Sequence, residues 1–183
     1  MSHSQTIKVL VTNKEALEAT AREMNAQSFS TEIQDVKMYD GTYRGMFIHF
    51  QNWKYPTVIS DGELRYDSYN GSWGNEKDLQ AFRQNYAANV VRIAGLADGK
   101  TLVSDTGVRA GSNRIVVLDN GDGSHTQATI PEEGDAVLEV VGCTGNVCHS
   151  HTSAISSALG MSTGDVLLPE YEERERLRER EQE

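Results

Sequence analysis

Residues 64–88 read LRYDSYNGSWGNEKDLQAFRQNYAA, and this run sets the organisation of the chain. Leu64 and Tyr66 alternate with polar neighbours as one face of a strand does, and Asn70, Gly71 and Gly74 then supply turn chemistry. Asn75 is a good helix N-cap, and Glu76 and Asp78 fall in the first turn, where the positive end of the helix dipole favours carboxylates. Leu79, Phe82, Tyr86, Val90 and Ile93 recur at three- and four-residue spacing, so one face stays apolar for roughly four turns. Asp98-Gly99 ends the pattern. The run therefore predicts a strand, a hinge and the core helix. Tyr66, Tyr69 and Trp73 on its turn are candidate partner-binding residues, because aromatic side chains dominate interface energetics.

Working outward, residues 6–11 (TIKVLV) are rich in β-formers, and Thr12 with Glu15 forms a capping-box pattern that predicts a helix to about Asn25. Its apolar stripe is Leu17, Ala21 and Met24. Residues 31–38 and 43–50 flank the turn Tyr39-Asp40-Gly41-Thr42 and predict a hairpin, in which Met46, Ile48 and Phe50 share a face. Residues 55–60 and 63–66 predict two more short strands around Asp61-Gly62. Beyond the core helix, residues 101–104 and 114–118 read as a strand pair, and DNGDGS at 119–124 reads as a linker or wide turn. Residues 128–131 and 136–141 then form a hairpin around a turn at 132–134, and residues 147–159 a short helix closed by Gly160.

The expected architecture is thus α+β. An antiparallel sheet packed by two helices occupies residues 1–118, a linker or turn 119–125, and an appended ββα module 126–168. The end of the chain, EYEERERLRERE and its flanks, predicts a charged helical tail at 169–183, supported by Glu170–Arg174 and Glu172–Arg176 pairs. A ββα unit this small buries little apolar area alone and is expected to lean on its neighbour.

Composition narrows the function. A net charge of −10, with only 17 basic residues, argues against a nucleic-acid-binding face, which needs clustered Lys and Arg. No apolar run approaches the roughly 20 residues of a membrane span, and MSHSQTIKVLV is too polar for a signal peptide, so a cytoplasmic protein without membrane partners is expected. Two cysteines are too few for a disulfide framework.

YDSYNGSW followed by LQAFRQNYA, together with the strand and helix through Met24, resembles the family named after the conserved chloroplast and cyanobacterial open reading frame thirty-five, a domain of unknown function. The resemblance spans about residues 1–118 and departs from the plastid pattern around residues 41–61. ATIPEEGDAVLEVVGCTGNVCHSHTSAISSALG and the later LLPEYEE, at about 124–172, are similar to a second small uncharacterised family, with Cys148, Thr152, Leu159, Gly160, Pro169, Glu170 and Tyr171 on its pattern. The two families tend to be encoded as neighbours, often beside AAA-type ATPases. The resemblance therefore implies a fused unit that works as an adaptor with a protein partner of that class, and it implies no catalytic residue.

Cys143, Cys148, His149 and His151 are the sharpest chemical cluster. Thiolate and imidazole suit zinc, and a tetrahedral site needs four such donors. The spacing departs from the two short pairs usual in structural zinc sites, and adjacent helical residues diverge by about 100°. His125 or a partner chain could complete a smaller set. The readings open here are packing side chains, zinc ligands, or a redox pair of Cys143 and Cys148. DNGDG resembles a calcium loop, but Ile130 stands where an EF-hand needs a bidentate Glu, so a turn is preferred and no cofactor is expected from it. The glycine-rich stretches at 71–74 and 107–111 lack a phosphate-binding signature, and His3 and His49 lack a visible orienting acid. The function expected is a non-enzymatic binding or adaptor protein. The alternatives are a small metal- or thiol-dependent protein, or an acidic mimic of nucleic acid.

Overall fold

The computed structural model describes residues 5–8, 11–108, 111–143 and 147–160, with side chains from residue 11 onward. The expected charged tail at 169–183, His3, and the Pro169–Tyr171 motif lie outside the described residues. The α+β expectation holds: among the described residues, two antiparallel sheets are packed by three helices.

The first sheet contains β1 (Gln5–Lys8), β2 (Ser28–Met38), β3 (Gly41–His49), β4 (Thr57–Ser60) and β5 (Glu63–Tyr66), in the order β1-β5-β4-β3-β2. The β2–β3 hairpin turns on Tyr39 and Asp40, with Met38 paired to Gly41. β2 begins three residues earlier than periodicity suggested and absorbs an irregularity between Ser30 and Gln34, which interrupts the alternation a reader would follow.

Helix α1 (Lys14–Glu23) is capped by Asn13, whose Oδ1 accepts from the Ala16 amide at 3.0 Å. The capping box expected at Thr12 and Glu15 is not formed: Asn13 is the N-cap, and the Thr12 and Asn13 amides donate to the Tyr86 hydroxyl at 3.1 and 3.0 Å. Burial raises the Tyr86 pKa, and these two donors partly offset it.

Helix α2 (Lys77–Ala97) starts after Glu76, with the Asn75 side chain accepting from the Lys77 amide at 3.0 Å. The expected face, with Leu79, Phe82, Tyr86 and Val90, packs into the core of the first sheet beside Leu17, Ile48, Phe50 and Leu64. The opposite face was not expected to be buried. Ala88 and Val91 enter a second core with Val116, Leu118, Ala128, Ile130, Leu138 and Ile155. A Cβ on Gly95 would lie 2.4 Å from the Leu118 Cδ1, which shows how closely this face meets the second sheet.

That sheet is a meander of β6 (Thr101–Asp105), β7 (Arg114–Asp119), β8 (His125–Ile130) and β9 (Val137–Val141), covered by α3 (Val147–Leu159). Residues 119–125, read as a linker or turn, close the β7–β8 hairpin, so a boundary at 118 runs through the middle of a sheet. The turn satisfies itself: Asp119 accepts from the Gly121 amide at 2.8 Å and Asp122 from the Ser124 amide at 2.9 Å.

Between the two cores runs a polar seam. Gln84 donates to the Ser112 and Ile130 carbonyls at 2.8 and 2.9 Å, and Asn89 donates to the Thr20 hydroxyl at 3.0 Å. Arg114, 2 % exposed, donates to Asp105 at 2.8 and 2.9 Å, to Glu23 at 2.7 Å and to Asn85 at 3.0 Å. One guanidinium therefore ties α1, α2 and two strands of the second sheet. Burial alone would raise the Asp105 carboxyl, but Arg114 and the Gly107 amide hold it below its ordinary value.

Candidate functional site: an exposed aromatic cluster

Three connections of the first sheet contribute rings to one cluster: the β2–β3 turn, the loop between β3 and β4, and the β5–α2 loop. They bring together Tyr39, Tyr55, Tyr69 and Trp73. Tyr69 stacks on Trp73 with ring centroids 4.6 Å apart. Tyr39 and Tyr55 tilt toward the same indole at 5.0 and 5.3 Å, and toward each other at 6.3 Å. Tyr39 is 54 % and Tyr69 46 % exposed, while Tyr55 and Trp73 are half-buried.

The loop that presents them is fixed from below. Asp67 accepts from the Tyr69 amide at 3.0 Å, the Ser68 carbonyl accepts from Gly71 and Trp73, and Ser68 Oγ donates to Glu76 at 2.9 Å. The Lys54 amide donates to the Trp73 carbonyl at 2.8 Å and so locks two of the three connections together. Gly74 rests on the buried Trp53: a Cβ there would meet three indole atoms at 2.2–2.4 Å. Trp53 is itself anchored by its Nε1 donating to Asp78 at 2.8 Å, and His49 Nε2 contacts the Trp53 carbonyl at 2.8 Å. Tyr69 and Asn70 hold φ of 45° and 54°, a left-handed conformation that costs a tyrosine about 1 kcal/mol or more. Such strain persists only where surrounding contacts over-determine it.

Of the three residues singled out in the sequence, Tyr69 and Trp73 belong to this cluster and Tyr66 does not. Tyr66 is 5 % exposed and lies edge-on to Trp53 at 6.3 Å, so it supports the platform from the core side. Burial, and then the nearby Glu76 carboxylate, raise its pKa. Tyr39 and Tyr55 were missed. Each stands next to a turn signal, Asp40-Gly41 or Pro56, and that was the one hint available along the chain.

The Cys143–His151 segment is not assembled into a site. Cys143 follows β9, Cys148 and His149 lie in the first turn of α3, and His151 lies a turn further on. Among the described residues no three His, Cys, Asp or Glu side chains form a group that could hold a metal ion, so the four candidate ligands do not converge. The physical reason is helical geometry, which sends Cys148 and His149 in different directions, together with the competing contact of His151 Nε2 with Asp122 at 2.8 Å. Neither cysteine is in a disulfide. Ser124 Oγ donates to Asp122 and accepts from Asn120 at 3.0 Å. Ser124, Asp122 and His151 therefore lack a serine-to-histidine contact and are not a nucleophile–base pair.

A cleft of about 230 Å3 lies between α2, residues 130–136 and the end of α3, with Arg83, Glu132 and Asp135 among its lining. No helix among the described residues is long and apolar enough to cross a membrane. No family model, no curated protein and no solved structure matches this chain.

Proposed function

We propose that the chain is a protein-binding adaptor whose recognition surface is the cluster of Tyr39, Tyr55, Tyr69 and Trp73. The observation that carries this reading is the convergence of four partly exposed rings from three separate connections onto a strained, hydrogen-bonded loop. Large aromatics contribute most where they can be fully desolvated by a partner, and a preorganised loop lowers the entropic cost of docking. An AAA-type ATPase is the partner class suggested by the resemblance to the reading-frame-thirty-five family. The acidic-mimic alternative has less support, since the long hairpin mixes Glu32, Asp35, Lys37, Asp40 and Arg44, with Arg44 and Asp35 paired at 3.3 Å.

The test is capture of the full-length chain from the cell that makes it, after mild crosslinking, alongside Trp73→Ala with its fold checked by circular dichroism. A stoichiometric partner held by the wild type and lost by the variant is expected. An identical partner set for both proteins overturns the reading.

A further inference from the structure

Lys54 lies against the rings that its own loop helps to assemble. Its Nζ is 4.6 Å from the Trp73 centroid and 5.8 Å from that of Tyr55. Among the described residues, this ammonium contacts rings and not a carboxylate. The Lys54 backbone is pinned by its amide bond to Trp73, but the residue is exposed, and its four-carbon stem lets the ammonium leave without disturbing the loop. Ring faces carry negative quadrupole density, and clustered Tyr and Trp faces are how proteins hold ammonium groups by cation–π attraction. The chain as a whole, with 27 acidic and 17 basic residues, draws cations toward its surface.

We propose that the Trp73 cluster is a cation-accepting aromatic site, covered in the resting protein by Lys54, that receives a lysine or N-methylated lysine side chain from a basic segment of a partner protein. This rests on the adaptor reading and adds the chemistry of the ligand. The argument is one of substitution: the seat already holds an ammonium of the same kind, in a place that an incoming side chain can reach. Tyr39 and Tyr69, the two most exposed rings, flank the indole and would close on the incoming group.

The probe is choline chloride, compared at constant ionic strength with its neutral isostere 3,3-dimethylbutan-1-ol. Binding to the full-length chain is followed through the Trp73 indole N–H in 15N-correlated spectra. The Trp53 indole, held by Asp78, reports that the fold is intact. Choline is expected to shift Trp73 saturably, and the neutral isostere to bind roughly tenfold more weakly. Lys54→Ala should tighten choline binding by about fivefold by removing the internal competitor, and Tyr69→Ala should weaken it. Equal responses to choline and the neutral isostere overturn the cation assignment while leaving an apolar recognition surface in place. Absence of a saturable shift even in Lys54→Ala overturns it outright. The adaptor reading stands or falls separately, on partner capture by Trp73→Ala.

Discussion

Residues 67–76 and residues 143–151 are of similar length and both concentrate side chains suited to recognition or chemistry, yet the fold treats them in opposite ways. The first receives rings from two other connections and is held by Asp67, Ser68, Glu76 and the Lys54 amide, with Gly74 seated on Trp53. In the second, Cys143 follows β9 while Cys148, His149 and His151 lie in the first turns of α3, where neighbours in sequence point apart, and His151 turns to the Asp122 hairpin. Density along the chain is thus a weak guide to a site. What distinguishes the Trp73 loop is that residues 39, 54 and 55 come to it from elsewhere.

Four variants and one condition probe this contrast. The largest effect is expected beneath both regions, at Arg114. Arg114→Met leaves Asp105 and Glu23 without their buried cation, which should cost about 3 kcal/mol in urea unfolding, and it should affect the two regions alike. Gly74→Ala should act on one side only, since its Cβ collides with the Trp53 indole. An overpacking loss of about 2 kcal/mol is expected, with the Trp73 indole resonance displaced and the α3 amides unchanged.

Acid should act on the other side. Hydrogen bonds from the Ser124 hydroxyl and amide, and then from His151, hold the Asp122 carboxyl well below its ordinary value of 3.8. A depressed folded value means that this contribution is present above about pH 4 and fades as pH falls toward the folded value. Asp105, also depressed, loses its contribution in the same direction. Hydrogen exchange across α3 should accelerate as pH is lowered below 4, after correction for intrinsic rates. Asp122→Asn should remove the part due to the Asp122 carboxylate, with its Ser124 and His151 contacts, and keep the part due to Asp105. The smallest effect is expected for the double variant Cys143→Ser, Cys148→Ser. Both thiols are partly exposed and belong to no assembled ligand set among the described residues, so stability should change by under about 0.5 kcal/mol per site.

Much of the fold was legible because single-face burial leaves a clean period. Met46 and Ile48 read correctly as one face of β3, with Phe50 just past its end in the same core, and Leu79, Phe82, Tyr86 and Val90 as one face of α2. What could not be read was the second buried face of α2. Ala88, Val91 and Gly95 are too small to raise a hydrophobic stripe, and Gln84, Asn85 and Asn89 look like solvent-facing residues until their buried partners are known. Arg114 gave no signal either, since a charged residue opening a strand carries no mark of being 2 % exposed. The candidate site was half legible. Tyr69 and Trp73 lie within one turn, whereas Tyr39 and Tyr55 join them only through sheet order, which local pattern does not encode.

The most direct measurement places a photo-reactive benzoylphenylalanine at Tyr69 in one full-length protein and at Val147 in another. These positions are 46 % and 52 % exposed, and they sit on the two contrasted regions. After irradiation in the native cell, the account predicts a discrete partner adduct from position 69 that added choline suppresses, and none from position 147. Adducts from position 147 alone, or the same adducts from both, would contradict it.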